Sequence, residues 1–290
     1  MTIGHHIRNP IEWGWDLLKN AKFALGSATH AIHGSDQVLQ ANLLAVRRIT
    51  SADIRDALAR GLADFGACRT DVIFLCLIYP VAGLLLSRLA VGYDMVPLIF
   101  PLASGFALLG PVAAMGLYEM SRRREQGTAV SWADAFGVVG SPAFGALIAL
   151  SIGLLVVFMA WLVAAYAIYA VTLGPAPPAS ITAFARDVFT TPAGWAMTVV
   201  GIGVGFVFAV LVLAISVVSF PLLLDRDVGL SVAVGTSIRA VRANPGPMAI
   251  WGAVVVGGLV IGSIPLLVGL AIVMPVLGHA TWHLYRKLVV

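Results

Sequence analysis

The sequence predicts an all-α membrane protein, a polytopic bundle of six transmembrane spans fringed by amphipathic helices on one side. Three observations predict it. Only 11% of residues are charged and 60% are hydrophobic, where soluble domains carry about 25% charged residues. The apolar residues fall in long runs, and a bilayer core of about 30 Å needs about 20 apolar helical residues. The basic residues sit in alternate gaps between those runs.

The N-terminal 48 residues differ from the rest and read as a cytoplasmic helical arm. Asn9 caps a helix entered through Pro10, with Glu12 near the third helical position. Ile11, Trp15, Leu18 and Leu25 lie on related turns with Lys19 and Lys22 among them, which suits either an interfacial helix or one that docks on a partner. Gly34, Ser35 and Asp36 break it, and a second short helix follows over 37–47. No cleavable signal peptide is expected, since the first long apolar run starts near residue 72.

The transmembrane domain, 49–290, carries spans at about 72–90, 97–118, 142–172, 194–222, 247–264 and 266–284. The third and fourth are long enough to tilt or to run past the interface. Gly262, Ser263 and Pro265 separate the last two into a tight hairpin. Cys68 and Cys76 flank the start of the first span and read as free thiols.

All basic residues except Arg88 and Arg186 lie in the N-terminal segment, in the second-to-third and fourth-to-fifth connections, or in the tail. The positive-inside rule then puts both termini in the cytoplasm, which in a bacterial cell means the inner membrane. Arg88 is near enough to the end of its span to snorkel. The pI near 9.3 reflects this topology and not a nucleic-acid partner.

Each outward-going span follows a stretch with a helical apolar stripe. Ile54, Leu58, Leu62 and Phe65 precede the first; Leu230, Val234, Ile238 and Val241 precede the fifth with the same offsets. Each set lies within about 80° of arc, one face of a helix. Trp132 and Phe136 keep the spacing before the third, but Gly140 and Ala143 follow. Thr70–Asp71, Ser141–Pro142 and Asn244–Pro245 end these stretches with helix-start signals. The chain therefore reads as an interfacial helix plus a hairpin, used three times.

Small residues four apart, Gly145, Ala149 and Gly153, Gly201 and Gly205, and Gly258 and Gly262, allow close helix packing in lipid. Pro80, Pro101, Pro111 and Pro275 predict kinks. Outside, Gly174, Pro175, Pro177 and Pro178 form a stiff turn, and Ile181, Phe184, Val188 and Phe189 follow at helical spacing.

His279 and His283 form the best candidate site, because residues four apart share a helix face and suit a metal ion or cofactor contact. The competing reading is an interfacial anchor in a belt with Trp282, Tyr285, Arg286 and Lys287. No second ligand cluster accompanies the pair, so neither metal nor cofactor is assigned. His5 and His6, and His30 and His33, lie in polar sequence without acidic or thiol partners. Nucleophile motifs and phosphate-binding glycine loops are missing. The middles of the spans lack charge, which disfavours ion pumping.

Three runs carry a resemblance: Phe220-Pro221-Leu222-Leu223-Leu224-Asp225-Arg226, Ser237 to Asn244, and Gly278-His279-Ala280-Thr281-Trp282-His283-Leu284-Tyr285-Arg286. They resemble an uncharacterised bacterial family of predicted integral membrane proteins (domain of unknown function 2189), over roughly residues 45–290. Members are sometimes labelled cytochrome c oxidase subunit one. A catalytic haem–copper centre needs histidines from several helices, whereas His279 and His283 lie on one. The sequence thus predicts a non-enzymatic inner-membrane protein, an accessory or assembly factor of a respiratory or envelope complex. Its expected partners are the lipid bilayer and a membrane-protein complex, with no nucleic acid. A binder or carrier of a lipid or other hydrophobic small molecule is the alternative reading.

Overall fold

A computed structural model describes residues 44–76, 95–265 and 267–290, together with Val81 and Arg88. The chain is all-helical there, apart from one isolated antiparallel bridge between Val46 and Val289. In chain order the helices are α1 (Ser51–Cys76), α2 (Ile99–Leu108), α3 (Gly110–Ala113), α4 (Met115–Glu125), α5 (Phe144–Thr172), α6 (Ile181–Thr190), α7 (Pro192–Ser216), α8 (Ser219–Asp225), α9 (Leu230–Ala243), α10 (Pro245–Ser263) and α11 (Leu270–Leu288). Val96–Leu98 and Trp132–Gly140 are 3-10 turns. The expected helices of the N-terminal arm, its histidine pairs and most of the first span lie outside the described residues.

Among the described residues three stretches are long and apolar enough to cross a membrane: α5, the run Pro192–Asp225 formed by α7 and α8, and α10. Two other expected spans, the second and the last, take different forms. The second is divided into α2, α3 and α4, with breaks at Leu109 and Ala114; Pro111 sits in the first turn of α3, where its missing N–H costs nothing. The last is shifted towards the C-terminus as α11, whose second half is polar. Six spans are therefore not established by these helices.

The run Pro192–Asp225 has 34 residues, about 50 Å of helix, more than a bilayer core requires. It bends at Val217–Val218, and α8 continues as a segment buried from Ser219 to Leu224. α10 and α11 form the expected hairpin. A Cβ on Gly269 would lie 2.7 Å from the Gly262 carbonyl oxygen, so both glycines are needed for the approach. Leu267 closes the turn at φ 68°.

The packing follows the threefold unit. α1 lies along α11, the 3-10 helix Trp132–Gly140 lies on α4, and α9 packs on α7 and α8. Each interfacial element thus rests on the last helix of the preceding unit, and the first closes the ring on the third. The three last helices, α4, α8 and α11, also touch one another at the centre.

The apolar stripes are oriented differently from expectation. On α1 the buried residues are Ile54, Ala57, Gly61 and Asp64, whereas Leu62 is 58% exposed. On α9 they are Val232, Ala233, Thr236, Ser237 and Ala240, and Leu230, Val234, Ile238 and Val241 are half-buried. Small residues face inwards because the backbones approach closely: a Cβ on Gly61 would lie 2.6 Å from the Ala280 backbone nitrogen. The middle unit is a 3-10 helix instead of an α-helix. At three residues per turn, Ala135 and Val138 face the core while Phe136 and Val139 are exposed. Gly116 of α4 accommodates Ala135. The expected helix start at Thr70–Asp71 is replaced by a kink at Cys68 within α1.

The small-residue pattern divides too. Gly258 and Gly262 receive Val273 and Leu270, and Gly205 receives the Trp161 ring, whereas Gly153 and Gly201 face open space. On the far side Ser180 caps α6 by accepting from the Ala183 amide at 3.0 Å, and α6 folds back tightly on α7 at Gly194.

Candidate functional site

The polar residues of α1, α4, α8 and α11 converge where the last helices meet. Asp64 lies at the centre, 7% exposed. Its Oδ2 accepts a hydrogen bond from the Ser121 hydroxyl at 2.7 Å and another from His283 Nε2 at 2.8 Å. Its Oδ1 accepts from Arg124 Nη1 at 3.0 Å, and the same guanidinium nitrogen donates to the Ala63 carbonyl at 2.8 Å. Burial alone would raise the Asp64 carboxyl, but the hydrogen bonds from His283 and Ser121 outweigh it and hold the group below the usual carboxylate range.

Hydrogen-bond logic assigns the protons. An ionised carboxylate only accepts, so His283 carries a proton on Nε2. Ser121 gives its single proton to Asp64 and therefore accepts from His279 Nδ1, 2.7 Å away. His279 is then the tautomer with a bare Nε2. That nitrogen is buried and has no hydrogen-bond partner among the described residues.

A second cluster adjoins the first. Glu119, 3% exposed, receives Arg122 and Arg123 at 2.7 Å each, and Arg123 also bonds Asp134. Asp134 accepts from the Ser131 backbone N–H at 2.8 Å and so caps the 3-10 helix. A third cluster ties α11 to α4 and α8. Trp282 Nε1 donates to Glu125 at 3.0 Å, and the Tyr285 hydroxyl donates to Asp225 at 2.6 Å. Arg286 spans both carboxylates at 3.3 and 3.1 Å. Arg226 reaches the Val290 carbonyl at 3.1 Å. Lys287 bonds Asp56 at 2.8 Å, tying α11 to α1.

The residues singled out in the sequence therefore belong to one network. Gly278 permits the crossing of α4 and α11, since a Cβ there would lie 2.6 Å from Leu117 Cδ1. His279, Trp282, His283, Tyr285 and Arg286 are each joined to another helix, as is Asp225. His279 and His283 share a face as expected, but Ser121 and Asp64 occupy a nitrogen of each. Among the described residues no three His, Cys, Asp or Glu side chains are grouped as metal ligands. Nor is Ser121 placed as a nucleophile: it is 1% exposed, and it donates its proton to the Asp64 carboxylate and not to the imidazole beside it.

Sequence reasoning missed Asp64, Ser121 and Glu125. Asp64 carries the one available signal, lying seven residues after Ala57 and three after Gly61 on the small face of α1. The arginines, read from sequence as topology markers, also serve as clasps.

Fold and network together define a helical integral membrane protein in which Asp64, Glu119, Glu125 and Asp225 fasten its own helices. Residues 99–225 match the model of the family described as predicted integral membrane protein, domain of unknown function 2189. The match includes Phe220 to Asp225 of the first run and stops short of Arg226, of Ser237 to Asn244 and of the histidine-bearing motif, so its extent is narrower than the sequence resemblance implied. No curated protein and no solved structure matches the chain.

Proposed function

We propose that the protein is a multi-pass protein of the bacterial inner membrane, with both termini in the cytoplasm, and that it works without catalysis. In this reading it is a scaffold, an accessory or assembly factor of a respiratory or other envelope complex. The observation that carries the reading is the pairing of Asp64, Glu119, Glu125 and Asp225. All four carboxylates join separate helices or bind neighbouring arginines, and the serine and histidines beside Asp64 are taken up in the same way. A bundle fastened at its polar end presents mainly apolar surface along α5, α7 and α10 to its surroundings, where another membrane protein can pack.

Affinity purification of the full chain in mild detergent tests this. A partner recovered repeatedly in fixed stoichiometry is the expected result, and repeated recovery of the protein alone contradicts it. Native mass spectrometry of the same sample addresses the alternative: one tightly retained lipid or other apolar molecule, without a protein partner, would make the protein a binder or carrier. Metal analysis and an optical spectrum, with His279→Ala as control, address cofactor binding at the histidines; a stoichiometric metal or haem lost in the variant would overturn the non-catalytic reading.

A further inference from the structure

We propose that Arg47, Arg48, Arg239 and Arg242 form a binding site for the phosphate of an anionic phospholipid headgroup at the membrane boundary. The site is built by the segment before α1 and the end of α9. Asn244 holds the two together: its Oδ1 accepts from the Ile49 amide at 2.8 Å, and its Nδ2 donates to the Arg47 carbonyl at 3.1 Å. Asn244 is 2% exposed, so this clasp is fixed. Arg239 adds a second tie, donating from Nη2 to the Leu44 carbonyl at 3.0 Å. These bonds bring the backbone of Arg47 and Arg48 beside Arg242, two residues before Asn244.

Two observations mark the patch as a place for an anion. First, Arg122, Arg123, Arg124, Arg226 and Arg286 near the centre of the bundle each have a carboxylate within 4.0 Å. Arg47, Arg48 and Arg242 are exposed and pair with no carboxylate among the described residues. Second, Arg239 Nε is buried without a hydrogen-bond partner, and a buried charged donor of this kind is destabilising until an acceptor reaches it. Location selects the anion. α10 starts at Pro245, directly after Asn244, and is long and apolar enough to cross a bilayer. The arginines thus lie where headgroup phosphates lie, and guanidinium groups suit phosphate oxygens through paired N–H donors.

The experiment uses the full chain in nanodiscs of phosphatidylcholine with a minor fraction of phosphatidylglycerol, reading retained lipid by native mass spectrometry. Retention of phosphatidylglycerol over phosphatidylcholine is expected, falling on the order of tenfold in Arg48→Gln/Arg242→Gln. Arg55→Gln, on an exposed position of α1 outside the patch, should leave the preference unchanged. Both substituted residues are exposed, and the single variants Arg48→Gln and Arg242→Gln give the same reading if the pair is poorly folded. Equal retention of the two lipids, an unchanged preference in the patch variants, or complete displacement of phosphatidylglycerol by millimolar inorganic phosphate would overturn the assignment. The result is independent of whether a protein partner co-purifies.

Discussion

Asp64 is the residue on which most of the network depends. Replacing it with alanine leaves the donors of Ser121 and His283 without their carboxylate and leaves Arg124 only the Ala63 carbonyl. Losing one member of such a buried group costs about 3 kcal/mol, read as a drop in thermal stability in detergent. The pH dependence has a defined sign. The folded carboxyl titrates below its unfolded value, so its contribution is fully present above about pH 4 and disappears as pH falls through the lowered folded value. The stability gap between the native chain and Asp64→Asn should therefore be widest near neutral pH and narrow in acid; a gap that widens in acid would contradict the assignment. Exposed pairs such as Arg60 with Asp56 should matter little.

At the level of elements, glycines and one strained turn give separable predictions. Gly61→Val forces side-chain atoms into the Ala280 backbone and should destabilise the chain by about 1–3 kcal/mol. Gly66→Ala, on the same helix with open space around it, should be neutral or gain up to about 1 kcal/mol from helix propensity. Leu267→Gly removes the cost of a left-handed conformation and should add about 1 kcal/mol; thermal melts of the three variants check the order. The contrast explains what was legible in the sequence. Spans such as α5 and α10 were readable because lipid demands long apolar helices. The inward face of α1 was not, because the apolar stripe signals contact with any apolar medium, whereas backbone approach at Gly61 selects the small face for the interior. The division into α2, α3 and α4 was legible only in part: Pro111 signals an interruption, whereas Leu109 and Ala114, where the breaks fall, lie in an apolar run that reads as one span. His279 and His283 were legible as a shared face, but Ser121 and Asp64, distant in sequence, decide what that face does.

At the scale of the whole molecule, three interfacial elements form a ring around the meeting point of α4, α8 and α11. Closure depends on α1 resting on α11, through Gly61, His283 and Lys287. Hydrogen exchange on Asp64→Asn should show lost protection over 51–66 while α5 and α7 stay protected. Uniform loss across all helices would instead mean that α1 is not a separable clasp. The charge distribution acts at this scale as well: carboxylates fasten the helices together at the bundle's polar end, and the arginines left over lie at its rim.

The most direct test of this arrangement is the orientation of the polar end. Single cysteines at Gln126, Arg186 and Ala243, in a background with Cys68 and Cys76 changed to serine, can be probed with a membrane-impermeant maleimide. Labelling is expected at 186 in intact cells whose outer barrier is permeable to the reagent, and at 126 and 243 only after the inner membrane is broken. Labelling of 126 or 243 in intact cells, or protection of 186 until lysis, would contradict it.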